Sequence, residues 1–461
     1  MVARNSMSLT AAIIAGFLFW CASSAATEIG AVRINWDEVH DKLYGNTEAH
    51  EYQNRELGES TSLSELLVVA ESSNPGLRAA FDRWTAALGQ IPQAKSLPDP
   101  KLSYAYFLDS VETRVGPQRQ KFGFSQSIPL FGKLGLRGQV AIQAANAASE
   151  MYEASRLDLR YRVTKLWNAY YYLRRATDIT EENVRLLTDF ENVALSRYAV
   201  GAAPHSAVIR AQVELGRLED RLRTLIDQRT PILASLNAEL NRPEYSPIAW
   251  PDSIDNGMLL LTQPELRDAL LAKNPQLTSL SFTKEKNASA ASLAGRSPLP
   301  DLTIGVEYID TDEARFSGVS GSGQDALIAK ATVNIPLWFG RYRAEKAQAV
   351  AQLSATENEY LHLKNNLLAA FERVHFELRD AERRVDLYAY TLIPKAHQSV
   401  EVTEDAFTAG EADFLDLIDA QRTLLEFELQ HARALTDRAT RLAKIKQIIG
   451  VDPMVVRKVK E

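Results

Sequence analysis

The chain has 461 residues, 46% hydrophobic and 24% charged, with 22 Gly and 18 Pro. That balance excludes a disordered or collagen-like chain, and the length alone allows two to four domains. The formal net charge is −7 and there is no basic tract, so nucleic-acid binding gains no support.

At the N-terminus Arg4 precedes an apolar run from Leu9 to Trp20, and small residues follow from Ala22 to Ala26. This is the shape of a secretory signal peptide over residues 1–26, too short and wrongly flanked for a membrane helix. The single cysteine, Cys21, ends the run, with Phe19 and Trp20 where a lipidated cysteine needs small residues before it. Cleavage near Ala25 or Ala26 is therefore expected, leaving a mature chain without cysteine or need of disulfides. No later stretch reaches the roughly 18 apolar residues of a spanning helix. An exported chain without a helical anchor is either soluble or enters a membrane as strands.

Residues 27–60 read as an N-terminal segment, and the rest reads as a duplication. Asn74-Pro75 recurs as Asn274-Pro275, and Ile128-Pro129-Leu130 as Ile335-Pro336-Leu337. Tyr198-x-x-Gly201 recurs as Phe407-x-x-Gly410, and Ala211-Gln212 as Ala420-Gln421. The order is kept and the offset drifts only from 200 to 209. Repeat 1 is placed at 61–240 and repeat 2 at 263–450. A Pro-rich linker lies between them at 241–262, and a tail follows at 451–461.

Each repeat opens with an Ala-rich helical segment, about 61–96 and 263–296, broken near its start by the Asn-Pro pair. Strand patterns follow, with period-two alternation. Leu102, Tyr104, Tyr106 and Leu108 share one face, as do Leu302, Ile304, Val306 and Tyr308. Leu327, Ala329, Ala331, Val333 and Ile335 form a third such row. Phe122, Phe124 and Ile128 form a fourth, interrupted by Gln126. Very long helices come next. Gln139 to Val200 contains neither Gly nor Pro, which is roughly 90 Å if helical throughout. Arg341 to Ile393 is likewise unbroken up to Pro394. Helical runs return from His205 and from Glu411, the latter with an apolar stripe at Leu415, Ile418, Leu425 and Leu429 that suits inter-helix packing.

The strands have the length of tilted membrane-spanning strands. An open sheet cannot span lipid, because its edge groups would go unpaired. Closed membrane barrels start at about eight strands, so four strands require several chains to pool them, and three chains would supply twelve. A soluble antiparallel sheet is the competing reading, and it leaves sixty-residue helices without a core. Two further readings stay open. Glu372-x-x-His375 and Glu428-x-x-His431 are half of a di-iron bundle signature, which would make an exported metal-binding oxidase. A periplasmic coiled-coil structural protein would also need long helices. No nucleophile elbow, phosphate loop or HExxH is present, so neither an enzyme nor a cofactor is expected.

Four motifs carry a resemblance. They are SIPLFGK at 127–133, NIPLWFGR at 334–341, RYAVGAAPHSAVIRAQVEL from Arg197 and AFTAGEADFLDLIDAQRTLL from Ala406. With the repeat and the signal peptide, they resemble the TolC-like outer-membrane efflux channel family from about Ser62 to Gly450.

The resemblance implies a mainly α chain with a membrane β-barrel. A homotrimer would form a 12-stranded β-barrel in the outer membrane, four strands per protomer, continuing into a long periplasmic α-helical barrel. It implies an exit duct fed through a periplasmic adaptor by an inner-membrane transporter, the wording lying nearest to members paired with proton-driven exporters. Pro129, Gly132, Pro336 and Gly340 would mark the strand-to-helix joints, the glycines allowing the turn and Lys133 and Arg137 opening a wetter, cationic zone. Gly201 and Gly410 would mark the periplasmic tips. Asp416 and Asp419, six and nine after Gly410, match acidic positions that line the entrance constriction in the family. The residues themselves allow a plainer role, acids favoured in a first helical turn. Some members carry a basic latch two after the second tip glycine. Ala412 stands there, so the resemblance does not explain closure.

Overall fold

A computed structural model describes Leu57, residues 61–254, Gly257, Leu259 and residues 261–450. The signal peptide, Cys21 and the tail at 451–461 lie outside the described residues.

The first repeat runs α1 (Leu63–Ser73), α2 (Pro75–Lys95), β1 (Lys101–Thr113), β2 (Gly116–Ile128), α3 (Lys133–Ala199), α4 (His205–Asp227) and α5 (Arg229–Glu239). The second runs α6 (Gln263–Lys273), α7 (Pro275–Arg296), β3 (Leu302–Thr311), β4 (Ala326–Val333), α8 (Phe339–Leu387), a π-helical turn at Tyr388–Leu392, α9 (Ile393–Ala409) and α10 (Phe414–Ile449). The π turn ends two residues before Pro394, which lacks the N–H that a regular helix needs there.

The chain divides into two compact units. The first takes in Ala86–Ala145 and Glu285–Leu353. It holds one antiparallel sheet in the order β1-β2-β3-β4. Directly paired residues share a face. Tyr104 pairs with Phe122, Phe122 with Tyr308, and Tyr308 with Leu327, so the apolar rows of all four strands fall on one face. Gln126, which breaks the row in sequence, sits between Ile304 and the polar bond it makes to the Pro98 carbonyl. That face is uncovered, with Leu102 82% and Leu108 93% exposed. An apolar row left bare in water would be costly at about 25 cal/mol per Å².

The second unit takes in the described residues up to Thr85, Asn146–Lys284 and those from Ser354 onward. It is a helical array with two cores. Leu66, Ala70 and Leu77 pack with Leu236 and Leu240 in the first, and Leu266, Leu270 and Leu277 pack with Ile445 and Ile449 in the second. The duplication is thus visible position by position.

Each Asn-Pro pair is a helix joint. Asn74 Oδ1 accepts from the Leu77 amide at 3.0 Å, and its Nδ2 donates to the Glu239 carbonyl at 2.9 Å. Asn274 Oδ1 accepts from the Leu277 amide at 3.0 Å, and its Nδ2 donates to the Ile448 carbonyl at 2.7 Å. One amide therefore caps the incoming helix and closes the end of the returning one.

The Pro-rich linker packs against α3: Ile248 is buried, Tyr170 donates to its carbonyl, and Trp250 stacks on Tyr170 at 4.6 Å. Two expectations change. The apolar stripe of α10 omits Leu415, which is exposed, and uses Phe414 and Leu417 instead. Lys133 is not a wet interfacial cation, since only 5% of its side chain is exposed.

Candidate functional site

The first strand-to-helix joint is built on backbone that few residues adopt. Pro129 follows the last residue of β2, and Phe131 and Gly132 have φ of 56° and 70°. A Cβ on Gly132 would lie 2.8 Å from Arg296 Nη1, which itself donates to the Phe131 carbonyl at 2.8 Å. Lys133, the first residue of α3, donates to the Leu299 carbonyl at 2.5 Å and to Asp301 Oδ1 at 2.9 Å. The Leu130 amide donates to the same carboxylate, and the Asp301 amide donates to Asn334 Oδ1 at 2.5 Å. Asp301 therefore ties the first joint to the second.

The second joint is built differently. Pro336 lies in the irregular stretch between β4 and α8, and Gly340 is already inside the first turn of α8 rather than at the bend. Ile335, Leu337, Trp338 and Phe339 are exposed. Aromatic rings beside Arg341 suit a membrane–water interface.

At the tips, Gly201 has φ 76° after α3 and Gly410 has φ 83° after α9. The left-handed residue ends each helix at little cost only when it lacks a Cβ. Asp413 caps α10 by accepting from the Phe414 amide at 2.7 Å, and Asp416 Oδ2 accepts from the Asp413 amide at 3.2 Å. Asp416 thus closes a capping box, and Asp419 pairs with Arg422 at 3.2 Å. Both aspartates are exposed.

Ala412 offers no cation, yet arginines from elsewhere join the two tip hairpins. Arg197 stacks on the Phe407 ring at 4.8 Å and donates to the carbonyls of Phe407 and Thr408. Arg210 approaches Asp413 at 4.0 Å. Arg422 donates to the largely buried Glu214, whose carboxyl this bond holds below the ordinary carboxylate range. Sequence reading looked only at the two tip loops and missed Glu214, thirteen residues past Gly201. Its signal was a lone acid on the apolar, inward face of α4.

The glutamate–histidine pairs are engaged otherwise. Glu372 accepts from Gln263 at 2.8 Å. Glu428 faces His397 at 3.7 Å, and burial raises its carboxyl and lowers the His431 imidazole. Among the described residues no group of three or more acidic, His or Cys side chains has metal-binding geometry.

The chain combines a bare apolar sheet face, two left-handed helix tips and a helix of 67 residues. The outer membrane efflux protein model matches residues 66–242 and 266–451, so the chain belongs to that family. It is 24% identical over 421 residues to the cobalt-zinc-cadmium resistance protein CzcC of Cupriavidus metallidurans, covering 86% of this chain and 91% of that one. It is 24% identical over 413 residues to outer membrane protein TolC of Vibrio cholerae, covering 84% and 90%. The solved structure of VceC from Vibrio cholerae has the same fold, with a TM-score of 0.70 at 18% identity over 84% of this chain and 96% of that one. So has CusC, at 0.72 and 15% over 84% and 92%. The TolC-like reading of fold and family is borne out, and the chain is an outer-membrane efflux channel. The oxidase and coiled-coil readings are not favoured.

Proposed function

We propose that three copies of this chain form one exit duct, closing their four-stranded sheets into a twelve-stranded barrel with the apolar face toward lipid. The carrying observation is that the register puts every apolar row on one uncovered face. Among the described residues β1 and β4 are the outer strands of the sheet, and lipid cannot satisfy such edges, which supports pairing with strands of other copies. A periplasmic adaptor and an inner-membrane, proton-driven transporter would deliver cargo at the tips. Asp416 and Asp419 would line the entrance constriction there.

Divalent metal ions are the proposed cargo. CzcC, matched over 91% of its length, is named for cobalt, zinc and cadmium resistance, and paired carboxylates at an entrance favour cations. The test is to purify the full chain from outer membranes in detergent and measure its mass and bilayer conductance. A trimer with single-channel steps is expected, and a monomer without conductance refutes the duct. Loss of cobalt, zinc or cadmium tolerance on gene deletion would assign the cargo; unchanged tolerance would remove it.

A further inference from the structure

The face of the sheet opposite the apolar rows has a charge pattern of its own. One row across the sheet runs Lys101, Ser125, Gly305, Lys330. The next contains Glu307 opposite Gly123, and the one after it contains Lys121 opposite Ile309. Successive rows on one face are about 7 Å apart, so the three lysines fall within a band of about 13 Å. Glu307 is the one acid in these rows, and it bridges Lys121 at 2.6 Å and Lys330 at 3.4 Å. Each chain therefore presents three ammonium groups against one carboxylate.

The band also encloses a hollow. A depression of about 150 Å³ lies between Ser103, Ser125, Thr303 and Thr332, with Glu307 and Lys330 at its side. Two missing Cβ atoms keep it open. A Cβ on Gly123 would lie 2.5 Å from Ser103 Oγ, and one on Gly305 would lie 2.8 Å from the Phe124 carbonyl. Hydroxyl donors and an ammonium around a small opening suit an oxyanion. Fixed charge of one sign on a low-dielectric wall concentrates the opposite ion.

We infer that this face makes the barrel section of the duct prefer anions and hold multivalent oxyanions, with Lys101, Lys121 and Lys330 as the determinants. The inference rests on the trimeric-duct reading, in which this face lines the lumen. It gives the barrel a preference of its own, opposite in sign to that proposed for Asp416 and Asp419.

The test uses the purified full-length channel in planar bilayers at about 0.1 M KCl, where screening reaches only about 10 Å. Inorganic tripolyphosphate is added and the half-blocking concentration is read. The wild type should be blocked, with block fading at about 1 M KCl as screening shortens. The triple variant Lys101→Gln, Lys121→Gln and Lys330→Gln should need at least tenfold more tripolyphosphate. Lys330→Gln alone, which leaves the Lys121–Glu307 pair intact, should need several-fold more, and the triple Lys→Arg variant should behave as wild type. A conducting wild type that tripolyphosphate does not block, or Gln variants blocked like wild type, overturns the inference and leaves the duct standing. A wild type that forms no channel overturns the duct reading and this inference with it.

Discussion

Lys133 and Asp301 join the two repeats at the point where sheet gives way to helix. The ammonium is almost wholly buried and lies 2.9 Å from the carboxylate. Removing a buried charge partner leaves the other unsatisfied, which here costs more than the pair itself contributes. Lys133→Ala should destabilise the chain by about 2–3 kcal/mol, below the roughly 3–5 kcal/mol of a fully buried pair because Asp301 is 31% exposed. Asp301→Asn keeps an acceptor for Leu130 and should cost about half as much. Thermal melting of the detergent-solubilised protein separates the two, and equal melting of Lys133→Ala and wild type refutes the pairing.

The repeated asparagines make a sharper comparison. Asn274→Ala removes both the cap on Leu277 and the donor to Ile448, for about 1–2 kcal/mol. Asn74→Asp keeps the cap but loses the donor and sets a carboxylate beside Glu239, which Asn74 Nδ2 meets at 3.4 Å. It should therefore be at least as harmful as Asn74→Ala, reversing the usual ranking at caps. Melting in detergent reads the order, and an Asn74→Asp variant as stable as wild type would show that the donor to the Glu239 carbonyl contributes nothing.

These cases show what sequence could and could not convey. Element type and order were legible because period-two rows and breaker-free helices are local signals. The duplication was legible because Asn-Pro, Ile-Pro-Leu and the tip glycines keep their order. The partner of each residue was not. Lys133 looked like an interfacial cation because nothing local points to Asp301, 168 residues away. SIPLFGK and NIPLWFGR look alike, yet Phe131 and Gly132 bend the first joint while Gly340 is already helical in the second. The tip arginines escaped notice for the same reason, their acceptors being carbonyls and a carboxylate on the other hairpin.

The Arg422–Glu214 contact makes pH a probe of the tip. Glu214 is held low chiefly by its hydrogen bond from Arg422, and burial opposes this. A carboxyl with a depressed value stabilises the fold above its ordinary value, near 4.5, and loses that contribution as pH falls through its folded value. The tip contact should therefore be intact at neutral pH and weaken only below about pH 4.5. Arg422→Ala should loosen the hairpins by about 1–3 kcal/mol through the stranded carboxylate and raise conductance at pH 7. Wild-type conductance should rise as pH falls below about 4.5, and Arg422→Ala should remove that rise. A variant with wild-type conductance across pH 3.5–7 would take this contact out of closure.

The aspartates test whether the proposed constriction and the helix cap can share residues. Asp416 accepts from the Asp413 amide, so Asp416→Ala loses a capping-box bond worth about 1 kcal/mol as well as a charge. Asp416→Asn keeps an acceptor and removes only the charge, whereas Asp419 has no cap role and pairs with Arg422. If these residues line the entrance, Asp416→Asn with Asp419→Asn should lower cation preference, read as a shift of reversal potential across a KCl gradient. The shift should be largest at low salt, where a ring of carboxylates is least screened. The alanine pair should add higher conductance, because the start of α10 is then also released. A neutral asparagine pair with unchanged reversal potential would leave Asp416 as a helix cap and Asp419 as a surface ion pair, and the constriction would have to be sought elsewhere on the tips.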